Sequence, residues 1–142
     1  MAFEHYIYSA GKRLRCGYTT GTCAALASAG AAALLLSGEA PRTLSLTTPK
    51  GFAVELAPAW CRMEGAAALC AVRKDAGDDP DVTDGLLIAA RAERAGGEGI
   101  QIDGGPGVGR VTRPGLEQPV GAAAINRVPR EMIAEAVQTV CR

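Results

Sequence analysis

The longest apolar run of the chain, between Thr20 and Gly38, predicts a helix that is apolar on nearly every side. Such a helix belongs in a protein interior, and its many small residues permit close packing. Thr20 or Thr22 can cap its first turn, while Gly38 provides a stop signal at its end. Gly30 in mid-helix costs about 1 kcal/mol relative to alanine, which predicts a close backbone neighbour at that point.

The last stretch, "PREMIAEAVQTVCR", predicts a second helix. Pro129 suits its first turn and Glu131 suits the positive end of the helix dipole. Its apolar residues recur at helical spacing, which indicates one buried face.

The region between the helices predicts strands. "RTLSLTTPKGFAVELAPAW" alternates on both sides of a Pro-Lys-Gly turn, as a hairpin with one buried face does. "AAALCAVRK" predicts a third strand. "GLLIAARAERA" fits either a helix or a strand, and the glycine-rich turns that bracket it favour a strand. "GGEGIQIDGGPGVGRVT" predicts two short strands around a glycine turn. The first ten residues are predicted to form an entry arm.

Hairpins dominate this pattern and no repeated βαβ unit is present. The fold class predicted is therefore α+β: a two-layer sandwich with a mostly antiparallel sheet and helices packed on one face. A length of 142 residues fits one domain.

The composition of the chain argues against several classes of function. With 15 basic and 15 acidic residues, the chain has no charge bias toward nucleic acid or an anionic membrane. The uncharged stretch 24–36 is shorter than the roughly 20 residues that span a bilayer, and it begins late for a signal peptide. The five cysteines show no C-x-x-C spacing, so we expect reduced thiols, no protein-bound metal and a cytoplasmic location.

Two glycine-containing stretches suggest ligand contacts. "GYTTGTC" offers hydroxyl and main-chain N–H groups to an anion at a helix N-terminus, or it is only a threonine cap. "GGPGVGRVTRPG" lacks the dinucleotide spacing. It can form a wall against a flat ligand whose carboxylates Arg110 and Arg113 hold, or a tight turn with solvated arginines.

The stretch "KDAGDDPDVTDG" contains five aspartates within twelve residues. The spacing does not fit an EF-hand. Three alternatives stay open: a Mg²⁺ or Ca²⁺ site, carboxylates that raise one another's pKa until one accepts a proton near neutral pH, and a solvated acidic turn. Residue chemistry alone favours the turn.

Three ordered stretches, "GYTTGTCAA", "KDAGDDPDVT" and "GVGRVTRPGL…PVGAAAINRVPREMI", resemble the signature motifs of the CbiD family. Arg127 stands where that family more often has proline. Family members continue into a second, C-terminal α/β domain. Residues 1–142 therefore resemble the N-terminal domain alone, and we expect the chain to be inactive without that second half.

The resemblance implies methylation by S-adenosylmethionine of ring carbon C1 of cobalt-precorrin-5B, giving cobalt-precorrin-6A in anaerobic cobalamin biosynthesis. The partner is thus a flat tetrapyrrole rich in carboxylates, and cobalt enters only within this substrate. The catalytic candidates are Asp75, Asp78 and Asp79, which can face the sulfonium, bind a metal or accept a proton. The substrate-binding candidates are Thr19, Thr20, Gly21, Thr22, Gly107, Gly109, Arg110, Arg113, Asn126 and Arg130.

Two other functions are kept as alternatives. The chain can be a non-catalytic tetrapyrrole-binding or assembly module, with self-association left open. It can also be a divalent-metal hydrolase that uses the aspartates between Asp75 and Asp84.

Overall fold

The computed structural model describes residues 5–9, 12–16, 20–49, 51–75, 85–96, 99–104, 125 and 127–141, the first two ranges by their main chain only. These residues form seven strands and two helices. The elements are β1 (His5–Ser9), β2 (Lys12–Cys16), α1 (Thr20–Ser37), β3 (Leu44–Thr47), β4 (Ala53–Leu56), β5 (Trp60–Glu64), β6 (Ala67–Arg73), β7 (Leu87–Ala92) and α2 (Arg127–Cys141).

All strand pairs within these ranges are antiparallel, which confirms the predicted α+β class. They make two hairpins, β1–β2 and β3–β4, and a three-stranded sheet in the order β5-β6-β7. In the second hairpin Leu44 lies opposite Leu56, and both are buried. The Gly51 N–H donates to the Thr48 carbonyl at 2.8 Å across the turn, as the sequence predicted for this hairpin.

The central strand β6 is buried along most of its length. Cys70 in this strand lies opposite Cys61 in β5 and opposite Ala90 in β7. These three side chains belong to the core or pack against it, together with Val72 and Ile88. One face of the sheet therefore carries the core, and helix α1 covers it.

Helix α1 lies between the strands and α2. It contacts β3, β5, β6 and β7 as well as α2, and Gly30 lies against Leu44 and Cys70 while Gly21 lies against Pro129 of α2. Nine residues separate the two glycines, which at about 100° per residue places them on opposite sides of the helix. The predicted interior helix is confirmed, and its double contact explains why it is apolar all round.

Helix α1 has 18 residues and is long and apolar enough, by length and composition alone, to cross a membrane. It extends beyond the uncharged stretch 24–36 at both ends. Its burial is that of a core helix, because nine of its residues pack inside the fold, among them Cys23, Ala27 and Leu34.

Four local predictions differ from the structure. The predicted entry arm forms β1, which pairs with β2. Strand β5 was not predicted separately, because all five of its residues are half-buried or exposed and show no buried alternation. Residues 99–104 contain no strand, although a short strand was expected there. Helix α2 begins at Arg127 rather than Pro129, so Glu131 lies beyond its first turn.

Candidate functional site

The first turn of α1 carries three of the predicted binding residues, Thr20, Gly21 and Thr22. The helix begins at Thr20, so Thr20 and Thr22 both lie inside the first turn rather than before it, where a cap would stand. Thr20 is exposed, whereas Thr22 is only 2% exposed. The first main-chain N–H groups of a helix have no hydrogen-bond acceptor within the helix. They point out of the helix end that carries the positive end of the dipole.

The end of β6 leads into the aspartate stretch through Lys74. Its N–H donates to the Leu86 carbonyl at 2.9 Å, and its carbonyl accepts from the Gly85 N–H at 2.9 Å. The Arg73 guanidinium adds a hydrogen bond to the Gly85 carbonyl at 2.7 Å. Lys74 and Gly85 are therefore held next to each other at the end of β6.

Lys74 is itself buried, with 6% of its surface exposed. Lysine is almost never fully buried unless its ammonium is compensated. It has polar or charged interactions in this structure. A cation is thus held inside the fold immediately beside the predicted catalytic residue Asp75, which is half-buried.

The charges of Lys74 and Asp75 act on the start of α1. Burial raises the pKa of the Cys23 thiol to about 12, with the Lys74 charge opposing this shift and the Asp75 charge reinforcing it. Charges act on a thiol in this way only at short range. The end of β6 and the first turns of α1 therefore share one electrostatic environment.

The start of α2 adjoins the same turn of α1. A Cβ at Gly21 would lie 3.3 Å from both Cβ and Cγ of Pro129, which is a tight contact. The absence of a side chain at Gly21 lets the two helix N-termini approach closely. Arg130, a predicted binding residue, follows directly after Pro129.

Arg130 ties the start of α2 to two other segments. Its Nε donates to the Ile125 carbonyl at 2.6 Å, and its Nη1 donates to the Ile102 carbonyl at 3.3 Å. A guanidinium has five N–H donors in a fixed fork, so these bonds fix its orientation. Its predicted contact with a substrate carboxylate stays a prediction.

The structure thus brings five of the predicted site residues to one region: Thr20, Gly21 and Thr22 of α1, Asp75 after β6, and Arg130 of α2. The other eight lie outside the described residues, and their predicted roles stay predictions. They are Thr19, Asp78, Asp79, Gly107, Gly109, Arg110, Arg113 and Asn126.

Sequence reasoning missed Lys74 and Cys23 as members of this region. A signal for Lys74 was present, because it is the cation that ends the apolar strand "AAALCAVRK" and precedes the first aspartate. Nothing in the sequence pattern placed Cys23 near it, since the proximity arises only when α1 packs on β6. In the described part of the chain, no three His, Cys, Asp or Glu side chains are grouped to hold a metal.

Comparison with known proteins decides the family. A protein-family model described as CbiD matches residues 7–142. The chain belongs to the CbiD family. The resemblance carried by the three motif stretches is thereby confirmed.

Its CbiD relatives include proteins named cobalt-precorrin-5B C(1)-methyltransferase. The one from Geobacillus kaustophilus is 52% identical over 129 residues, which is 91% of this chain and 35% of the relative. The one from Treponema denticola is 48% identical over 147 aligned residues, which is 100% of this chain and 40% of the relative. The chain therefore spans about 35–40% of the length of these relatives.

A solved structure of the same family has a similar fold. It is the 1.9 Å crystal structure of a cobalamin biosynthesis protein (cbiD) from Archaeoglobus fulgidus, with a TM-score of 0.63 and 32% sequence identity. The match covers 96% of this CbiD chain and 42% of the other chain. The α+β architecture of the present chain is thus similar to that of about 42% of a longer CbiD protein.

Proposed function

We propose that this chain is the substrate-contacting N-terminal domain of a cobalt-precorrin-5B C1-methyltransferase of cobalamin biosynthesis. The observation that carries the proposal is the convergence of three segments far apart in sequence. The first turn of α1, the Lys74–Asp75 end of β6 and the start of α2 come from the three motif stretches. Gly21 of α1 lies against Pro129 of α2, and α1 packs on β6. The names of the relatives support the reaction.

The start of α1 suits the carboxylates of a tetrapyrrole. In this proposal the main-chain N–H groups of the first turn and the hydroxyl of the exposed Thr20 donate hydrogen bonds to them, and the helix dipole favours negative charge. The charge of the buried Lys74 also acts at the start of α1, together with the opposite charge of Asp75. We extend the same role to Arg130, and to the predicted residues Thr19, Gly107, Gly109, Arg110, Arg113 and Asn126.

Asp75, with Asp78 and Asp79, is assigned to the reacting side of the macrocycle. S-adenosylmethionine supplies an electrophilic methyl group: a carbon–carbon bond forms at C1 as the methyl–sulfur bond breaks. A carboxylate here either attracts the cationic sulfonium or accepts the proton that is released. The two roles predict different kinetics for Asp75→Asn. This variant raises the KM for S-adenosylmethionine if Asp75 attracts the sulfonium, and it lowers kcat if Asp75 accepts the proton.

Residues 1–142 act in this proposal as one domain, completed by a C-terminal half like that of the longer relatives. We place it in the cytoplasm. Helix α1 packs between strands and α2, which supports a water-soluble fold, and the free thiols at Cys23, Cys61, Cys70 and Cys141 suit a reducing compartment.

A second candidate is a tetrapyrrole-binding module without activity of its own. The two candidates share the same substrate site and differ in turnover.

The experiment is methyl transfer by a two-part enzyme. The chain is incubated with cobalt-precorrin-5B and S-adenosylmethionine, with and without the C-terminal half of the Geobacillus kaustophilus relative. We expect S-adenosylhomocysteine only from the pair. Methyl transfer by the chain alone would contradict the expectation that it needs the C-terminal half. No product from a pair that binds the macrocycle would favour the binding module.

The matched control uses two acidic residues of this chain. Asp75→Asn removes the carboxylate beside Lys74, and Glu93→Gln removes an exposed carboxylate that pairs with Arg91 at 3.7 Å near the end of β7. We expect Asp75→Asn to reduce turnover by about 100-fold or more if it transfers the proton, and Glu93→Gln to leave it unchanged. If the two variants had equal kcat and equal KM for S-adenosylmethionine, Asp75 would not belong to the site.

A further inference from the structure

Two thiols face each other in the three-stranded sheet. Cys61 in β5 and Cys70 in β6 are directly opposite in the antiparallel register. Their sulfur atoms are 3.0 Å apart, with the Cys61 thiol donating to Cys70 Sγ, and both cysteines are free. The pair lies on the α1 side of the sheet, outside the region assigned to the tetrapyrrole.

This placement meets the geometric requirements of a disulfide. Residues directly opposite on antiparallel strands have Cα atoms about 4.5–5.5 Å apart, within the range of about 4.4–6.8 Å that a disulfide spans. A bond of about 2.05 Å requires the sulfurs to approach by roughly 1 Å. Side-chain rotation can supply that movement without a change of strand register.

The two thiols differ in access. Cys70 is fully buried, and its sulfur lies under the main chain of Gly30 in α1. Cys61 is half-buried. An external reagent therefore reaches Cys61 first, and Cys70 is held in place to react second.

We propose that Cys61 and Cys70 form a reversible dithiol–disulfide site that reacts with small-molecule disulfides. The proposal is independent of the methyltransferase function, because it concerns a different part of the fold and needs no substrate. The relevant ligand class is a soluble disulfide such as glutathione disulfide.

The exchange proceeds in two steps. The Cys61 thiolate attacks one sulfur of the small disulfide, forming a mixed disulfide and releasing one small thiolate. The Cys70 sulfur then attacks Cys61 Sγ and expels the second small thiolate, to which the proton of the Cys70 thiol passes. The protein pair is oxidised by two electrons, the small disulfide is reduced, and the two protons end on the released thiols.

The closed form is slow to open again. Burial raises the pKa of the Cys70 thiol, and its contact with Cys61 raises it further. A reducing thiol attacks the sulfur of Cys61, the less buried residue of the pair, and must expel Cys70 as a thiolate. A thiolate of high pKa leaves slowly, so the disulfide, once formed, is kinetically protected while it ties β5 to β6 beneath α1.

The test is peptide mapping after oxidation of the native chain, in a Cys141→Ser background that removes one exposed thiol. The folded protein is treated with excess glutathione disulfide, alkylated and digested with trypsin without reduction. Cleavage after Arg62 separates the two cysteines into peptides 51–62 and 63–73. We expect these peptides to be linked in most molecules, and the thermal midpoint to rise by about 5 °C or more.

Single variants distinguish the proposed order. Cys70→Ser should retain glutathione on Cys61 as a stable mixed disulfide, and Cys61→Ser should leave Cys70 unmodified because it is buried. Glutathione that stays on Cys61 of the otherwise native chain would overturn the proposal, as would linkage that forms only in urea. Mapping of the chain with both cysteines present decides the question even if a variant fails to fold.

Discussion

Gly30 of helix α1 packs its main chain directly against the thiol of Cys70 in β6. A Cβ at Gly30 would lie 2.5 Å from Cys70 Sγ, 3.3 Å from Cys70 Cβ and 3.2 Å from Leu44 Cδ2. The first distance is shorter than real Cβ contacts. The closest approach of helix to sheet therefore depends on glycine at this position.

Gly30→Ala should destabilise the fold. Overpacking of a core costs about 1–3 kcal/mol, while replacing a mid-helix glycine by alanine returns about 1 kcal/mol. We expect a net loss of up to about 2 kcal/mol in the free energy of unfolding, measured by urea denaturation. Adding Cys70→Ala should restore part of this loss, because it removes the nearest atom.

The matched control is Gly96→Ala. Nothing lies within 4 Å of a Cβ at Gly96, so this change should leave the free energy of unfolding within about 0.5 kcal/mol. If both alanine variants were equally stable, the close approach at Gly30 would be wrong.

The sequence predicted this contact only in part. An uncharged helix with a glycine at its centre indicated an interior position and a close neighbour. It did not indicate that Cys70 is that neighbour, because the pairing of α1 with β6 depends on tertiary packing. The same limit explains β5, since its residues from Trp60 to Glu64 lack the alternation by which strands are recognised.

The stability of the chain should fall as the pH rises above about 9. Burial raises the pKa of the Cys23 thiol from its ordinary value of 9.0 to about 12. Between these values the unfolded chain has lost a proton that the folded chain keeps, so stability is fully present below pH 9 and decreases toward pH 12. The slope is at most about 1.4 kcal/mol per pH unit for this thiol.

Urea denaturation between pH 7 and 10.5 measures this slope. Cys23→Ala should make it shallower, whatever its effect on stability at neutral pH. Cys141→Ser is the control, because Cys141 is exposed and folding does not remove it from water. A slope that Cys23→Ala leaves unchanged would contradict the burial of that thiol as its cause.

Arg130 should matter more for stability than Arg127 in the same helix. Arg130 donates to two main-chain carbonyls at 2.6 and 3.3 Å from a partly buried position. Arg127 pairs with Glu131 at 3.2 Å on the exposed surface. We expect Arg130→Ala to cost about 1–3 kcal/mol and Arg127→Ala about 0.3–0.5 kcal/mol.

Both changes are compared by urea denaturation at the same ionic strength. Raising the salt concentration should reduce the small effect of Arg127→Ala, since exposed ion pairs are screened. Equal losses for the two variants would show that the hydrogen bonds of Arg130 do not hold the start of α2.

A test with divalent cations distinguishes the alternative function, a divalent-metal hydrolase, from the proposed methyltransferase function. Since the aspartates are assigned to the substrate and the methyl donor, Mg²⁺ or Ca²⁺ should not raise the thermal midpoint of the chain. A rise that disappears in Asp78→Ala and Asp79→Ala would favour a metal site instead.

The candidate site was partly visible in the sequence. Threonines, glycines and aspartates of the right types marked Thr20, Gly21 and Asp75. Their convergence, however, depends on the packing of α1 between β6 and α2, which is encoded by burial rather than by local motif. Lys74 was overlooked because a single lysine after a strand is usually solvated, and only the fold shows that it is buried.

The most direct measurement is binding of cobalt-precorrin-5B to this chain, followed through the absorbance of the macrocycle, for two threonine variants. Thr20 is exposed in the first turn of α1, and Thr47 is exposed in β3. We predict that the chain binds the macrocycle and that Thr20→Val weakens binding by about tenfold, the loss of a hydrogen bond to a charged group. Thr47→Val should bind as the unmodified chain does. Failure of the chain to bind, or equal affinity of the two variants, would contradict a substrate site at the start of α1.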